Sequence, residues 1–597
     1  MRHLRHLWLA IGLGGLMLVF GAPVVAQRTP PPTPLPLYAL PDARQNPVFR
    51  SSTLVLANDN QTLLVTNMVN DSVSVVNLPQ RAKFVEIPVG KDPRSIALTA
   101  DNQFALVADR GDDTLTVLDV KGQKVASTIT LGGLWPYGVV TDNNQTAYVS
   151  LQGSNEIVVV DIAAGQVTAR IPVAAAPSGL ALWGDFLYVT HFWTGELSLV
   201  YLPQARVIST VRPGLDTSLS PSIELDVSRG VAYLPQTRSN ADNPTLTYDT
   251  TVFPVINSVA LNDLSAQRVR RITVDTIDRP VNMPFALALD RFRNILYVIN
   301  AGSNSVSVID TNGGRTLAHI DVGSNPRGAV LSRDNSILYV HNVLDNSISI
   351  LDTRNYKITD TPVIASQGKT PVDVIIAQQF FYTATDRRMS ANGWLSCANC
   401  HFDGMSDGRV WRGFPDGPRR TPVLYDLSVT GPYNWSGTWD ELADVDHKIR
   451  WLQGGTGLIE DGPPSPPLGD PNAGRSVDLD LLTSYLMKLE GPTPPFAFDP
   501  AAVKRGQQVF EEQGCASCHA GAIGTDLQMH DVGTGEGKAF DTPSLRWLWL
   551  SAPYFHDGSA ATLQDVFTDG GAHSLVNKVS PGDIDALAKY LLTLPTS

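Results

Sequence analysis

Cysteine is scarce in this chain, with four in 597 residues. All four stand in two pentapeptides, Cys397-Ala398-Asn399-Cys400-His401 and Cys515-Ala516-Ser517-Cys518-His519. None is left over, so no disulfide framework holds the rest together. Charge is also thin. Only 17% of residues are charged and the balance is −13, which argues against nucleic acid as a partner. After Phe20 there is no apolar run long enough to read as a membrane span. Histidine is missing from one stretch that matters below: none lies between His401 and His447.

The N-terminus does carry one apolar run, Leu7 to Phe20, preceded by Arg2 and Arg5 and followed by the small residues Val24-Val25-Ala26. Residues 1–26 are expected to be an export signal cleaved after Ala26, with an uncleaved N-terminal anchor as the alternative. Residues 27–45, proline-rich from Thr29 to Pro36, read as an extended tether. The expected location is periplasmic or otherwise exported.

Cys-x-x-Cys-His is the attachment signature of c-type haem: the two thiols bond the haem vinyl groups and the adjacent histidine ligates iron. A structural zinc site would need further ligands nearby, and a redox dithiol needs no histidine. The expectation is two covalent haem c groups, held by Cys397, Cys400 and His401 and by Cys515, Cys518 and His519.

From residue 46 to 385 the chain repeats. Pro47, Pro93, Pro136, Pro177, Pro221, Pro284, Pro326 and Pro371 open successive phases. Each phase alternates β-branched runs such as Phe104-Ala105-Leu106-Val107-Ala108 with Asn- and Asp-rich turns, which is hairpin chemistry. Four strands per phase, repeated radially, predict a β-propeller of seven blades, with an eighth left open by the last phase, Pro371 to Thr385, read as two strands. One longer phase carries an insertion, Gln236 to Leu261, read either as a plain surface loop or as a lip or contact toward the haem region. The repeats resemble the YVTN family through Leu296-Tyr297-Val298-Ile299-Asn300 and Leu338-Tyr339-Val340-His341-Asn342. Copper or quinone chemistry in the propeller is disfavoured, because His191, His319 and His341 fall in separate blades.

The haem region is duplicated, as residues 386–495 and 496–597, predicted to be two all-α cytochrome c modules. Thr421-Pro422-Val423-Leu424 through Gly431-Pro432-Tyr433-Asn434-Trp435-Ser436-Gly437 aligns without gaps, at an offset of 121, to Thr542-Pro543-Ser544-Leu545 through Ala552-Pro553-Tyr554-Phe555-His556-Asp557-Gly558. Helices are predicted after the capping serine of Ser580-Pro581-Gly582-Asp583 and from Ala501 to Glu512.

These segments are similar to the bacterial di-haem cytochrome c peroxidases and their relative MauG. The resemblance implies two helical haem domains that trade electrons, one haem acting on peroxide and the other receiving electrons, with Trp435 between them. The sequence departs from that pattern at the distal side of the first haem. Gly417 stands where the resemblance implies a histidine, Val445 where it implies glutamine and Gly455 where it implies glutamate. Glu460, Asp446 and His447 are the nearby substitutes. Gly570 stands where the second haem's far ligand is implied. His573 and His447 are therefore candidate distal metal ligands, ahead of Met405, Met487 and Met529, and His556 is read as structural. Trp435 and His447 are the candidate catalytic residues. Two functions follow: an exported di-haem oxidoreductase using peroxide or oxidising a redox partner protein, or an electron-transfer protein with both irons six-coordinate.

Overall fold

The prolines that open the repeats take a fixed place in the fold. In a computed structural model that describes residues 41–42, 47–262, 264, 270–274, 277–366, 370–569 and 571–595, Pro93, Pro136, Pro177, Pro284 and Pro326 each begin the innermost strand of a sheet. The register shifts just after each one. The missing N–H thus sits at a strand start, where a proline is tolerated. Hairpin turns use Asn or Asp at positive φ, as at Asn102, Asp113, Asn294 and Asn304. The expected export signal, and the tether apart from Pro41 and Asp42, lie outside the described residues.

In four blades the end of the second strand is tied to the third by the same device. Asn67, Asn300 and Asn342 each donate to two serine hydroxyls at 2.8 to 3.2 Å. In the second blade Asp109 holds this place, accepting from Thr114 and Thr116.

Seven antiparallel sheets over residues 54–88, 93–130, 136–172, 177–211, 217–273, 284–321 and 326–360 make a seven-bladed propeller. No eighth blade begins among the described residues. The last phase, expected as two strands, is the helix Val372–Tyr382, which starts after Pro371. Its Val-Asp-Val-Ile-Ile run has strand-like composition, but Phe380, Phe381 and Tyr382 are buried against the first cytochrome module, and that packing decides. The strand Val48–Arg50 pairs with the inner strand Pro177–Trp183. Arg50 then reaches Leu287 O and Ala329 O and pairs with Glu224, so this segment fills the ring's axis.

Eight helices are described: α1 Tyr248–Thr251, α2 Val372–Tyr382, α3 Ala398–His401, α4 Val445–Trp451, α5 Val477–Met487, α6 Pro500–Glu512, α7 Leu563–Asp569 and α8 Pro581–Leu592. Seven of them, α2 to α8, make the cytochrome region. Ser476 and Ser580 cap α5 and α8 by accepting the backbone N–H of Leu479 and Asp583. The insertion is a long hairpin of Val231–Ser239 and Val252–Ala260 whose tip touches the first module. There Arg412 N donates to Ala241 O at 2.9 Å, and Leu246 packs with Leu395 and Trp411.

Candidate haem sites

The two modules repeat in space as they do in sequence. The short strand Arg419–Arg420 in one corresponds to Phe540–Asp541 in the other. The Tyr433–Trp439 bridge corresponds to Tyr554–Ala560. Tyr433 and Tyr554 each donate to a backbone carbonyl six residues back, Leu427 at 2.7 Å and Leu548 at 3.0 Å. The contacts between modules are reciprocal as well. Arg420 N donates to His556 O at 2.6 Å and Asp541 N donates to Trp435 O at 2.9 Å. A Cβ on Gly437 would fall on Met529 of the second module, and one on Gly558 would fall on Val410 of the first. This is a pseudo-twofold interface, in which each patch meets its own counterpart.

The first pentapeptide forms the single turn α3, with His401 N bonded to Cys397 O at 2.9 Å. Burial pushes the Cys397 thiol up to about 12 and lowers His401 to about 4. The carbonyl of Pro422 lies beside His401 without completing a hydrogen bond to its Nδ1, which is buried and unpaired. Nearby, Arg420 is 5% exposed, and its Nε and Nη2 have no acceptor. Burial lowers this guanidinium to about 10. Free, half-buried thiols, an imidazole whose Nδ1 is buried and a buried cation lacking an anion fit a covalent haem with a propionate at Arg420.

The second pentapeptide is less enclosed. Ser517 is exposed and His519 is half-buried, its Nδ1 bonded to Gly524 O at 2.9 Å. Pro543, the counterpart of Pro422, again lies beside the histidine. The His573 ring lies 6.4 Å from that of His519, centre to centre, and 5.7 Å from Phe555. Two imidazoles on opposite faces of one metal stand roughly 6 Å apart, given metal–nitrogen bonds of about 2 Å. The residues present therefore fit a haem iron here too.

The remaining candidates are placed as follows. Trp435 lies at the junction: its indole N–H donates to Arg420 O at 2.8 Å and its ring is 6.4 Å from that of His556. His447 lies on α4 with Nε2 2.9 Å from Ser465 O. Asp446 is buried and holds Arg450 and the Leu458 N–H. Glu460 pairs with Arg388. Met405 packs with Trp135, Tyr425 and Trp547, and Met487 is exposed. His556 is buried and stacked on Phe540 at 3.9 Å. In the propeller, His191, His319 and His341 bond to Ser198, Ser307 and Thr53, each within a separate hydroxyl pair.

Sequence reasoning missed two groups. A Cβ on Gly417 would fall on the carboxylate of Glu536 from the second module. Glu536 is held by Arg419 at 3.0 Å and lies 3.4 Å from His556 Nε2. The only trace in the sequence is the glycine itself, since the pairing spans two modules. Asn399, inside the first pentapeptide, was also unremarked; it accepts from Asn282 of the propeller at 3.0 Å.

The fold and motifs define a c-type cytochrome, binding haem c covalently, joined to a β-propeller. A family model described as YNCE-like beta-propeller matches residues 40–149, and one described as Cytochrome c matches residues 503–595. The methylamine utilization protein MauG of Methylorubrum extorquens is 31% identical over 245 residues, covering 33% of this chain and 68% of MauG. Hydrazine synthase subunit gamma of Kuenenia stuttgartiensis is 26% identical, covering 35% of this chain and 74% of that one. Cytochrome c551 peroxidase of Pseudomonas aeruginosa is 25% identical, covering 35% and 75%. The solved hydrazine synthase of Kuenenia stuttgartiensis, 17% identical, superposes with a TM-score of 0.46 over 55% of this chain and 98% of its own. The chain belongs to the MauG family. No described helix is long and apolar enough to cross a membrane.

Proposed function

We propose that the protein is an exported oxidoreductase with two covalent haems that exchange electrons across the pseudo-twofold interface. Its substrate side is at His401 and its electron-transfer side at His519. The observation that carries this reading is Trp435, which touches both modules at once through Arg420 O and Asp541 N. Its backbone carbonyl accepts from Asp541 N of the second module and its ring lies 6.4 Å from that of His556, which supports charge passing between the halves.

Haem, when bound, supplies the redox chemistry; the chain decides which iron is reachable. The 6.4 Å spacing of His519 and His573 supports a six-coordinate second iron. With both histidines holding it, that haem would take no outside ligand and the site would relay electrons. The commitment of His447 to Ser465 O supports an open position opposite His401. Peroxide chemistry needs a group to move a proton at the distal face. Glu536, lodged where Gly417 leaves room, is the carboxylate proposed for it, in place of His447, Asp446 or Glu460. Burial raises this carboxyl, yet Arg419 holds it below its ordinary value, so it stands ready as a base. The relatives named MauG and cytochrome c551 peroxidase support oxidation by peroxide or of a redox partner protein.

The test is cyanide titration of the full protein followed by peroxide turnover. One haem should bind cyanide, and Glu536→Gln should lower turnover without changing the haem count. If neither haem binds an exogenous ligand in any redox state, the oxidoreductase reading fails and electron transfer alone remains.

A further inference from the structure

The mouth of the propeller is occupied by the chain's own haem loop. Phe402, next to His401, is buried among Phe192, Phe285 and Tyr382, with ring centres at 4.9, 5.7 and 5.7 Å. The Arg327 guanidinium lies 5.1 Å from the Phe402 ring. Asp403, one residue further, is paired with Arg94 at 2.8 Å and lies 3.9 Å from Arg110. It also accepts from Tyr382 Oη at 2.7 Å. Inside the pentapeptide itself, Asn399 is bonded to Asn282. Six propeller residues, Arg94, Arg110, Phe192, Asn282, Phe285 and Arg327, thus hold a turn that contains the proximal histidine. Among the described residues the second pentapeptide shows no such partner: His519 is followed by Ala520 and Gly521, and the exposed Ser517 bonds within its own turn, to Gly514 O.

The grip is charged. Arg94, Arg110 and Arg327 face the carboxylates of Asp92 and Asp403, and Arg110 also faces Asp113. Arg94 Nε, Arg94 Nη1 and Arg110 Nε are buried without an acceptor. A fixed cation in a medium of low dielectric favours the state of a nearby redox group that carries less positive charge.

We propose that the propeller is a clamp on the proximal side of the first haem, setting its reduction potential through Arg94, Arg110, Arg327 and Asp403. These are positioning residues: they touch the loop, not the haem. The inference rests on the two-haem reading above.

The experiment is a potentiometric titration of the full protein, with both haems resolved. The wild type must first show two covalent haems; if it shows one, the two-haem reading has failed and the clamp is not at issue. Arg94→Gln removes a cation and should lower the potential of the His401 haem. Asp403→Asn removes an anion and should raise it. A unit charge roughly 12 Å away, at an effective dielectric of about 20, changes the reduced-to-oxidised ratio at fixed ambient potential by roughly tenfold. The His519 haem should stay in place in both variants. Disruption of structure alone would move both variants the same way, so opposite shifts support the clamp. If either variant leaves the His401 haem unmoved, or both shift it in one direction, the proposal is overturned. If Arg94→Gln does not fold, the near-isosteric Asp403→Asn decides alone.

Discussion

The two cytochrome modules share a backbone plan and differ in what surrounds it. Position for position, buried Arg420 answers to Asp541, and Trp435 to His556. The first pentapeptide is gripped by the propeller and the second stands near the surface. On the two-haem proposal, a duplicated scaffold would give its haems unlike characters without altering the motif that holds them. What differs is the charge opposite the haem edge, the ring at the junction and the company of the proximal loop.

The sharpest way to break the comparison is to remove one attachment site at a time. Replacing Cys397 and Cys400 by serine should remove one of two haem mass additions, and the Cys515, Cys518 pair the other. If the wild type shows a single addition, the modules are not equivalent carriers and the comparison collapses.

A smaller change tests the distal sides. His573→Ala should turn the His519 haem from low-spin to high-spin in its visible and paramagnetic resonance spectra. His447→Ala should leave both haems as they were, because its Nε2 serves Ser465. A spectrum unchanged by His573→Ala would show that the 6.4 Å spacing has no iron between the rings.

Smaller again is the pair of glycines at the interface. Both have positive φ, 56° at Gly437 and 66° at Gly558. Alanine in that conformation costs about 1–2 kcal/mol on its own. At Gly437 the new methyl meets the end of Met529, a flexible and 38% exposed side chain that can swing away. At Gly558 it meets branched Val410 and the ring of Pro553. Overpacking should add about 1–3 kcal/mol there. Unfolding of the cytochrome region, followed at the haem band, should therefore be lowered more by Gly558→Ala than by Gly437→Ala. Equal losses would mean that strain alone, and not the neighbour, sets the cost.

Much of this was legible in the sequence for reasons that can be named. The propeller was readable because Asn, Asp and Pro at fixed places force turns and strand starts locally. The duplication was readable because the gapless 121-residue offset preserves local hydrogen bonds such as those of Tyr433 and Tyr554. The misses are all decided by distant partners. The apolar run in α2 could be strand or helix until the burial of Phe381 beside α5 is known. His447, a candidate ligand by its distance along the chain, has its Nε2 2.9 Å from the Ser465 carbonyl, a contact the sequence does not announce. Asp403 sits beside the haem motif like any loop acid, and its arginines lie some three hundred positions earlier or within eighty of it. Glu536 was invisible because the site it fills is marked only by a missing side chain, Gly417, in the other module.

The mildest test sets Asp541 against its counterpart Arg420. Burial, with help from Asp526, raises the Asp541 carboxyl from its ordinary 3.8 to about 7. Its fold therefore favours the protonated acid. For a group raised in this way, the stability it contributes is fully present below about 4 and is lost as pH rises through about 7. Arg420 is shifted the other way, lowered by burial to about 10, so it holds one charge state across the range from pH 4 to 8. The two equivalent positions should then differ in kind: one pH-dependent, the other not. Asp541→Asn should flatten the fall in stability between pH 5 and 8, with a gain on the order of 1 kcal/mol at pH 8, allowing for the group's partial exposure. Arg420→Met should change stability by the same amount at every pH in that window. The check is the midpoint of thermal unfolding of the cytochrome region measured at several pH values. If Asp541→Asn leaves the slope unchanged, Asp541 is ionised in the folded protein and the contrast between the two buried positions does not hold.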